Sequence, residues 1–385
     1  MTATRLDLTQ LQQLSNDRPK VLILGGQGRI GSAIARDVLT HTEANVIITG
    51  RSSRPPAWEQ ARLYALGLDL ANTTAVQTAI AAVDLVVHAA GPFSYRDHQV
   101  LDSCIAQGIP YLDVADHPPY VKAACDRQVQ AQTQNVTAIV GTGVFPGLSN
   151  SMARQAVEAM DSVDELRLDY VVAGSGGAGV TVLRTTFLEL QHPIPAWVNG
   201  QWVKVKPYSQ RDRVNFPAPY GRCGVYWFNT VEGMTLPASF PNVHTVITKF
   251  GSLPDFYNHL TWLMAHGLPA SVLQNSNTVE FLAQVSYAMT TVTDRVSGTG
   301  LAMRAVATGH LAGQPTTASV TMTHPDTAIA AGAGTGSLIQ AILAGTLQAP
   351  GVQPVERAVP TTMVIQLMGD RGISLTCDCR PSDPE

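Results

Sequence analysis

The chain has 385 residues, of which 14% are charged and 45% are hydrophobic, and its net charge is −4. An intrinsically disordered chain is excluded, because disorder requires low hydrophobicity together with high charge. A nucleic-acid-binding protein would carry a basic stripe, which this charge balance does not suggest. Five cysteines without a C-x-x-C pair argue against a disulfide framework and a zinc site, so we expect no metal.

Short apolar runs alternate with helical patterns over the first 140 residues. Strands are predicted at residues 21–24, 46–49, 63–68, 85–88, 111–113 and 136–140. Helices are predicted at residues 30–38, 73–82 and 99–107. Continuous apolar strands that alternate with helices are typical of an open parallel sheet covered on both faces.

A glycine motif follows the first of these strands. Gly26-x-Gly28-x-x-Gly31 stands between a predicted strand and a predicted helix, which is the context that makes this spacing a dinucleotide fingerprint. The glycines permit a tight turn and a close approach of the backbone to a pyrophosphate, and the helix N-terminus offers N–H groups to the phosphates. The alternative is a Gly-rich turn without a ligand.

The end of the second strand predicts which dinucleotide binds. An NAD enzyme places an acidic residue there, on the ribose hydroxyls, whereas this chain has Arg51, Ser52 and Ser53. Arg51 can pair with a 2′-phosphate and the serines can hydrogen-bond it, so we predict NADP(H). The alternative is that Arg51 only stacks on the adenine. Asp69, after the third strand, is expected to meet the adenine edge or to cap a turn.

The pattern changes after about residue 150. Strands are predicted at residues 166–172, 302–311, 318–323 and 361–367. We therefore predict an α/β protein in which a Rossmann domain, a doubly wound parallel sheet, covers residues 17–148. A second α/β domain with a mixed or antiparallel sheet, for substrate binding and dimerisation, is predicted over 149–385.

Two segments bear on whether the protein is membrane-bound or secreted. Residues 327–355 carry no charge, but glutamine, glycine and proline interrupt them, so we expect a Gly-rich loop and a buried helix and no membrane span. That helix, near residues 336–347, is expected to pack back on the first domain. The first 20 residues lack the apolar segment of a signal peptide, which predicts a cytoplasmic protein.

Three motifs together resemble the saccharopine dehydrogenase-like oxidoreductases. They are Ala89-Ala90-Gly91-Pro92-Phe93-Ser94-Tyr95 with the later Gly108-x-x-Tyr111-x-Asp113, the Pro146-Gly147-Leu148-Ser149 segment, and the Gly-rich helix with its Pro354-Val355-Glu356 end. The resemblance implies an NADP-dependent enzyme, often dimeric, that reduces C=N or oxidises an amine in an amino-acid-like substrate. We accordingly expect a homodimer with a small-molecule substrate.

The predicted cofactor site lies after the strands of the first domain. Its small residues after the fourth strand are expected to let the backbone pass the nicotinamide ribose. The predicted cofactor-binding residues are Gly26, Gln27, Gly28, Arg29, Ile30, Gly31, Arg51, Ser52, Ser53, Asp69, Ala90, Gly91, Pro92, Asp113, Val144 and Phe145. For Asp113 the alternative is that it only braces the loop.

Three residues are candidates for the proton donor that a hydride transfer requires. Ligands of open α/β sheets bind beyond the carboxyl ends of the strands, where Tyr95, Asp116 and His117 are found. Tyr95 has a donor hydroxyl, and Asp116 with His117 could form a coupled acid pair. The alternatives are that Tyr95 only covers the nicotinamide pocket and that His117 is an ordinary loop residue.

Several functions therefore remain open. Basic residues between Lys204 and Arg222 alternate with aromatic ones, which suits a carboxylate-bearing or aromatic substrate, or else a solvated edge with a dimer interface. The sequence does not choose between C=N, C=O and C=C as the reacting group. An enoyl or carbonyl reductase for an apolar or pigment-like substrate, and a non-catalytic NADP(H)-binding regulator, are the alternatives to the amine-related reaction.

Overall fold

The computed structural model describes residues 4–50, 58, 60–174, 180–190, 192–269, 272 and 275–381. The chain forms two compact units. The N-terminal unit comprises Met1–Gly147 and Ala328–Val359, and the C-terminal unit comprises Leu148–Thr327 and Pro360–Glu385. Among the described residues, no helix is long and apolar enough to cross a membrane.

Strands and helices alternate through the first part of the N-terminal unit, as the sequence predicts. In chain order they are β1 (Thr4–Leu6), α1 (Leu8–Gln13), β2 (Lys20–Leu24), α2 (Arg29–His41), β3 (Asn45–Gly50), β4 (Leu63–Gly67), α3 (Thr73–Ile80), β5 (Leu85–His88), a 3₁₀ turn (Phe93–Tyr95), α4 (Gln99–Gln107), β6 (Tyr111–Asp113), α5 (Pro118–Cys125), α6 (Gln128–Thr133) and β7 (Thr137–Val140).

The C-terminal unit begins with a helix and continues with a mixture of strands and helices. These are α7 (Leu148–Glu158), β8 (Ser162–Ala173), α8 (Val180–Glu189), β9 (Ile194–Val198), β10 (Gln201–Val205), β11 (Asp212–Phe216), β12 (Gly221–Trp227), α9 (Val231–Ser239), β13 (Thr245–Leu253), α10 (Phe256–Gly267), α11 (Ser276–Ser297), β14 (Leu301–Leu311) and β15 (Gln314–His324). The chain then returns to the N-terminal unit with α12 (Thr327–Leu343), β16 (Gly351–Pro354) and α13 (Val355–Ala358). It ends in the C-terminal unit with α14 (Thr361–Gly369) and β17 (Thr376–Pro381).

The sheet of the N-terminal unit is parallel throughout. Its strand order is β1-β4-β3-β2-β5-β6-β7-β16, so the central six strands follow the order of a Rossmann sheet. Every residue of β2, β5 and β7 is buried, because helices cover both faces of such a sheet. The order reverses between β2 and β5, and this switch point is where open α/β sheets bind their ligands.

A glycine-bearing helix packs on the N-terminal sheet where a loop is predicted. The structure shows that α12 begins at Thr327, so its glycines lie inside the helix and the prediction of a Gly-rich loop is wrong. A Cβ at Gly332 would lie 2.7 Å from the backbone of Ala33 in α2, and one at Gly336 would strike Asp37. The glycines therefore allow α12 to approach α2 closely, which offsets their low helix propensity.

The sheet of the C-terminal unit is mixed. Its main path is β10-β9-β13-β8-β14-β15-β17, with β12 pairing to β13 and carrying β11. The β8 and β13 pair is parallel, and the other pairs are antiparallel. The α/β fold class with a second mixed sheet is therefore confirmed.

One strand prediction in this unit is wrong. Residues 361–367 form most of the helix α14, which begins after Pro360. Its buried side chains are Val364, Leu367 and Met368, a spacing of three and four residues that fits a helix and not a strand. The short apolar run is compatible with both periods, and packing decides for the helix.

Candidate cofactor and active site

The glycine motif forms the turn between β2 and α2. The N–H of Gly26 donates to the carbonyl of Ile23, and the N–H of Gly28 donates to the carbonyl of Gly25 at 2.9 Å. Gly28 is the N-cap of α2, and no side chain caps this helix. The first turn of α2 thus presents backbone N–H groups at its N-terminus, the arrangement that binds phosphate in nucleotide-binding turns.

Three glycines of this turn are required because a Cβ would meet neighbouring atoms. Gly25 has φ +76°, and a Cβ there would lie 2.8 Å from both the carbonyl oxygen of Ala89 and the Cα of Ala90. A Cβ at Gly26 would lie 2.6 Å from the side chain of Ile48, and one at Gly31 would strike the backbone of Gly25. The fingerprint turn therefore lies directly against the turn that follows β5.

The end of β3 adjoins the same turn. A Cβ on Gly50 would lie 2.5 Å from Cδ of Gln27, so the Gln27 side chain occupies the space that the glycine leaves. Arg51, Ser52 and Ser53 come next in the chain and lie outside the described residues.

Asp69 follows β4 at the same edge of the sheet. Its side chain is exposed, and Oδ1 accepts a hydrogen bond of 3.1 Å from the N–H of Ala71. The carboxylate thus stabilises its own turn, and its predicted contact with the adenine stays a prediction.

The turn after β5 is held by a histidine and an arginine. His88 is buried, and its Nδ1 accepts the N–H of Ala90 at 3.2 Å. Arg96 Nε donates to the carbonyl of Ala90 at 2.7 Å. Burial, and secondarily the positive charge of Arg96, lower the pKa of His88 to about 3, so the imidazole stays neutral and keeps its acceptor. Sequence reasoning missed this bracing role for Arg96 and for His88.

The three candidate proton donors lie after neighbouring parallel strands. Tyr95 ends the 3₁₀ turn after β5, and 60% of its surface is exposed. Asp116 and His117 lie between β6 and α5 and are half-buried. Because β5 pairs with β6 in parallel, both segments leave the sheet at its carboxyl edge. The structure thus places all three at one edge of the N-terminal unit.

Asp113 connects the ends of β6 and β7. Its carboxylate is fully buried and accepts the N–H groups of Ala115 and Gly141, at 3.0 and 2.7 Å, and the hydroxyl of Tyr111 at 3.0 Å. Burial raises its pKa to about 6, although these hydrogen bonds act in the opposite direction. This geometry is that of a brace for the loop, the alternative that the sequence left open.

The loop after β7 completes this edge of the sheet. Thr142 Oγ1 donates to the carbonyl of Asp113 at 2.8 Å and lies 3.1 Å from Oγ1 of Thr335 in α12. Val144 is buried and Phe145 is half-buried in the loop that this bond anchors. The contact with Thr335 comes from a distant part of the sequence, which sequence spacing does not reveal.

The described ranges contain no group of three or more His, Cys, Asp or Glu side chains that could hold a metal ion. The polar groups at the carboxyl edge of the sheet are instead backbone N–H groups, a phenol, an imidazole and carboxylates. Such a set suits the binding of an organic cofactor and the transfer of a proton.

A parallel sheet of this strand order, with a glycine turn at its switch point, defines the chain as a dinucleotide-binding protein of the Rossmann class. Residues 21–139 match the family of the saccharopine dehydrogenase NADP binding domain. This match confirms the predicted resemblance and the prediction of NADP(H) as cofactor. The glycine cradle fits this cofactor, because it leaves backbone exposed where side chains would fill the turn.

Similar proteins extend the likeness beyond this domain. The chain is 27% identical over 148 residues to carboxynorspermidine synthase of Vibrio alginolyticus, which is 35% of either chain. It is 25% identical over 198 residues to carboxyaminopropylagmatine dehydrogenase of Synechocystis, which is 48% of either chain. The matched region thus spans a third to a half of these relatives.

A solved structure shows the same fold over nearly the whole chain. Saccharopine dehydrogenase (L-Glu forming) from Saccharomyces cerevisiae superposes with a TM-score of 0.68 at 13% identity. The match covers 94% of this chain and 100% of that structure.

Proposed function

We propose that the protein is an NADP(H)-dependent oxidoreductase that transfers a hydride to or from a C=N or C=O group of a small, amino-acid-like substrate. The observation that carries the proposal is the contact of Gly25 with Ala89 and Ala90. It brings the pyrophosphate-binding turn and the turn after β5 together at the switch point of the sheet, where a dinucleotide extends across an open α/β sheet.

The cofactor roles follow from these positions. The turn from Gly26 to Gly31 binds the pyrophosphate, and residues 51–53 bind the 2′-phosphate, since Arg51 supplies a guanidinium and no carboxylate competes there. Asp69 lies toward the adenine. The Ala90-Gly91-Pro92 turn and the Val144-Phe145 loop border the nicotinamide. Asp113 braces that loop through its hydrogen bonds to Gly141 and Thr142. The substrate is assigned to the second domain, residues 149–385 without the segment Ala328–Val359, which belongs to the N-terminal unit.

The reacting group we favour is C=N. Both curated relatives carry names of amine compounds that bear a carboxy group, and the resemblance implies the same bond. Bound NADPH would supply the hydride for the imine carbon, and a protein acid or water would give a proton to the nitrogen, so that the products would be NADP⁺ and a secondary amine. Tyr95, Asp116 and His117 are the candidate acids. We also propose that the protein is cytoplasmic.

The reaction is tested by mixing the protein with NADPH and a panel of carbonyl compounds, with and without primary amines. We expect NADPH absorbance to fall with a keto acid or aldehyde only when an amine is also present. Consumption with ketones or enones alone would instead support the carbonyl or enoyl reductase. NADPH fluorescence that shifts on binding, without turnover on any compound, would support the regulatory protein.

The proton donor is tested by Tyr95→Phe, Asp116→Asn and His117→Gln. We expect the variant that removes the acid to lower turnover by about 100-fold or more, with NADPH binding unchanged. If all three turn over at the normal rate, the acid lies in the C-terminal unit.

A homodimer is proposed on a separate observation. Phe256 and Leu263 of α10 and Phe281 and Val292 of α11 are each more than half exposed. Tyr257 Oη lies 2.9 Å from Thr293 Oγ1, so the two helices adjoin. Large apolar side chains exposed on adjoining helices favour an interaction site, and we propose that a second copy covers them.

The dimer is tested by size-exclusion chromatography with light scattering. We expect a dimer that becomes a monomer in Phe281→Glu, while Val129→Glu, which alters an exposed apolar residue of the N-terminal unit, stays dimeric. A monomeric wild-type protein would contradict the proposal.

A further inference from the structure

A shallow cavity on the C-terminal unit is lined mainly by arginines. Its volume is about 670 Å³, a size that suits a small molecule. Asp212 is the one acidic side chain among the described residues that line it, and the arginines are Arg167, Arg211, Arg213, Arg222 and Arg304.

The β11–β12 hairpin supplies one wall of the cavity. Its register pairs Asn215 with Arg222 and Arg213 with Gly224, and alternate residues share a face, so Arg213, Asn215 and Arg222 lie together on the outer face. The inner face packs into a core with Val171 and Ala302, through Val214, Phe216, Cys223 and Val225. The arginines therefore stand on a well-packed support.

Neighbouring strands supply the other wall. Arg304 of β14 lies opposite Asp169 of β8 and donates to the hydroxyl of Ser319. Arg167 makes two hydrogen bonds to Asp169, of 2.7 and 2.9 Å, and one of 2.7 Å to Asp212. The Asp212 carboxylate is shared with Lys249 at 2.7 Å.

The acidic groups do not balance this positive charge. Arg211 pairs with Asp255 at 2.6 Å. Asp169 pairs with Arg167, and Asp212 pairs with both Arg167 and Lys249. Neither Arg213 nor Arg222 forms an ion pair with a carboxylate in the described part of the chain. The cavity is thus lined by the exposed side chains of Arg213 and Arg222, whose guanidinium groups are available to a ligand.

We propose that this cavity binds a small polyanion through phosphate or carboxylate groups. The planar guanidinium matches both oxyanions with paired hydrogen bonds, and the Asn215 amide offers a further donor. The site lies in the unit that does not contain the fingerprint turn, and it is a second binding function beside the proposed hydride transfer.

The test is calorimetric titration of the full-length protein saturated with NADPH, so that the cofactor site is filled. Inorganic tripolyphosphate and citrate are the two probes, at low ionic strength. The variant is Arg213→Gln with Arg222→Gln, and the matched control is Lys204→Gln with Lys206→Gln. The control removes the same charge from exposed residues of the same unit that do not line the cavity. Circular dichroism verifies that both variants fold.

We expect saturable binding of at least one probe, weakened about tenfold or more in the arginine variant and less than about twofold in the lysine control. Tighter binding of tripolyphosphate identifies a phosphate ligand, and tighter binding of citrate identifies a carboxylate ligand. The absence of saturable binding, or equal weakening in both variants, overturns the proposal, because the affinity would then reflect only overall charge.

Discussion

The two units use different means to prepare a polar surface for a ligand. The N-terminal turns between β2 and α2 and after β5 rely on backbone groups that glycines bring together, and Arg96 braces Ala90. The C-terminal sheet face relies on charged side chains, such as Arg167 and Lys249 around Asp212. A backbone site depends on the absence of side chains, whereas a charged site depends on each partner being present.

The largest expected effect is a loss of stability after a substitution in the charged network of the C-terminal sheet. Arg167→Met leaves the buried Asp169 without its bidentate partner. Removal of one partner of a buried pair is costly because a desolvated charge stays behind, so we expect the free energy of unfolding to fall by about 3 kcal/mol. Urea unfolding of the whole protein measures this change in free energy.

The matched control is Arg213→Met, which removes an arginine without an ion pair from the same region. We expect a change within about 0.5 kcal/mol. Asp169→Leu added to Arg167→Met should restore most of the loss, since no unpaired charge remains. Equal effects of Arg167→Met and Arg213→Met would show that the network does not stabilise the unit.

A smaller effect is expected from the buried brace of the N-terminal unit. The pKa of Asp113 is raised from 3.8 to about 6 in the folded protein. The folded state therefore binds a proton that the unfolded state has lost, so the contribution of Asp113 to stability falls as the pH rises from about 4 to about 6. The difference is on the order of 3 kcal/mol as an upper limit, because solvent and relaxation reduce it.

This pH dependence is isolated with Asp113→Asn. The asparagine keeps one acceptor oxygen for the N–H groups of Ala115 and Gly141 but does not titrate. We expect the wild-type protein to lose stability relative to the variant between pH 4 and pH 6.5. His88, with a lowered pKa, acts in the opposite direction in both proteins and cancels in the difference. Parallel stability curves would show that Asp113 does not carry the effect.

The sequence predicts the backbone site better than the charged one. The fingerprint from Gly26 to Gly31 is local, so its spacing and the flanking apolar run are sufficient to locate it. Arg167, Asp212 and Lys249 are far apart in the chain and meet only when β8 pairs with β13 and the β11–β12 hairpin folds over them. No local pattern specifies that register.

The wrong predictions have the same origin. The glycines of α12 predict a loop by propensity, yet Gly332 and Gly336 are needed for the approach to Ala33 and Asp37, which the sequence does not display. The apolar run of residues 361–367 is compatible with a strand and with a helix, and only the packing of Val364 and Leu367 selects the helix. Tertiary contact overrides local preference in both cases.

The smallest change tests the backbone site itself. Gly25→Ala adds one methyl group that would lie 2.8 Å from Ala89 and Ala90, so the fingerprint turn must move away from the turn after β5. We expect the Kd for NADPH to rise by about tenfold or more in a fluorescence titration.

Gly108→Ala is the control, because Gly108 has nearly the same φ, +72°, but nothing within 4 Å of a Cβ. Its NADPH affinity should stay within about twofold of the wild type, although the backbone strain lowers stability by about 1 kcal/mol. If both variants bind NADPH normally, close contact of the two turns is not what builds the cofactor site, and the contrast between the two units fails.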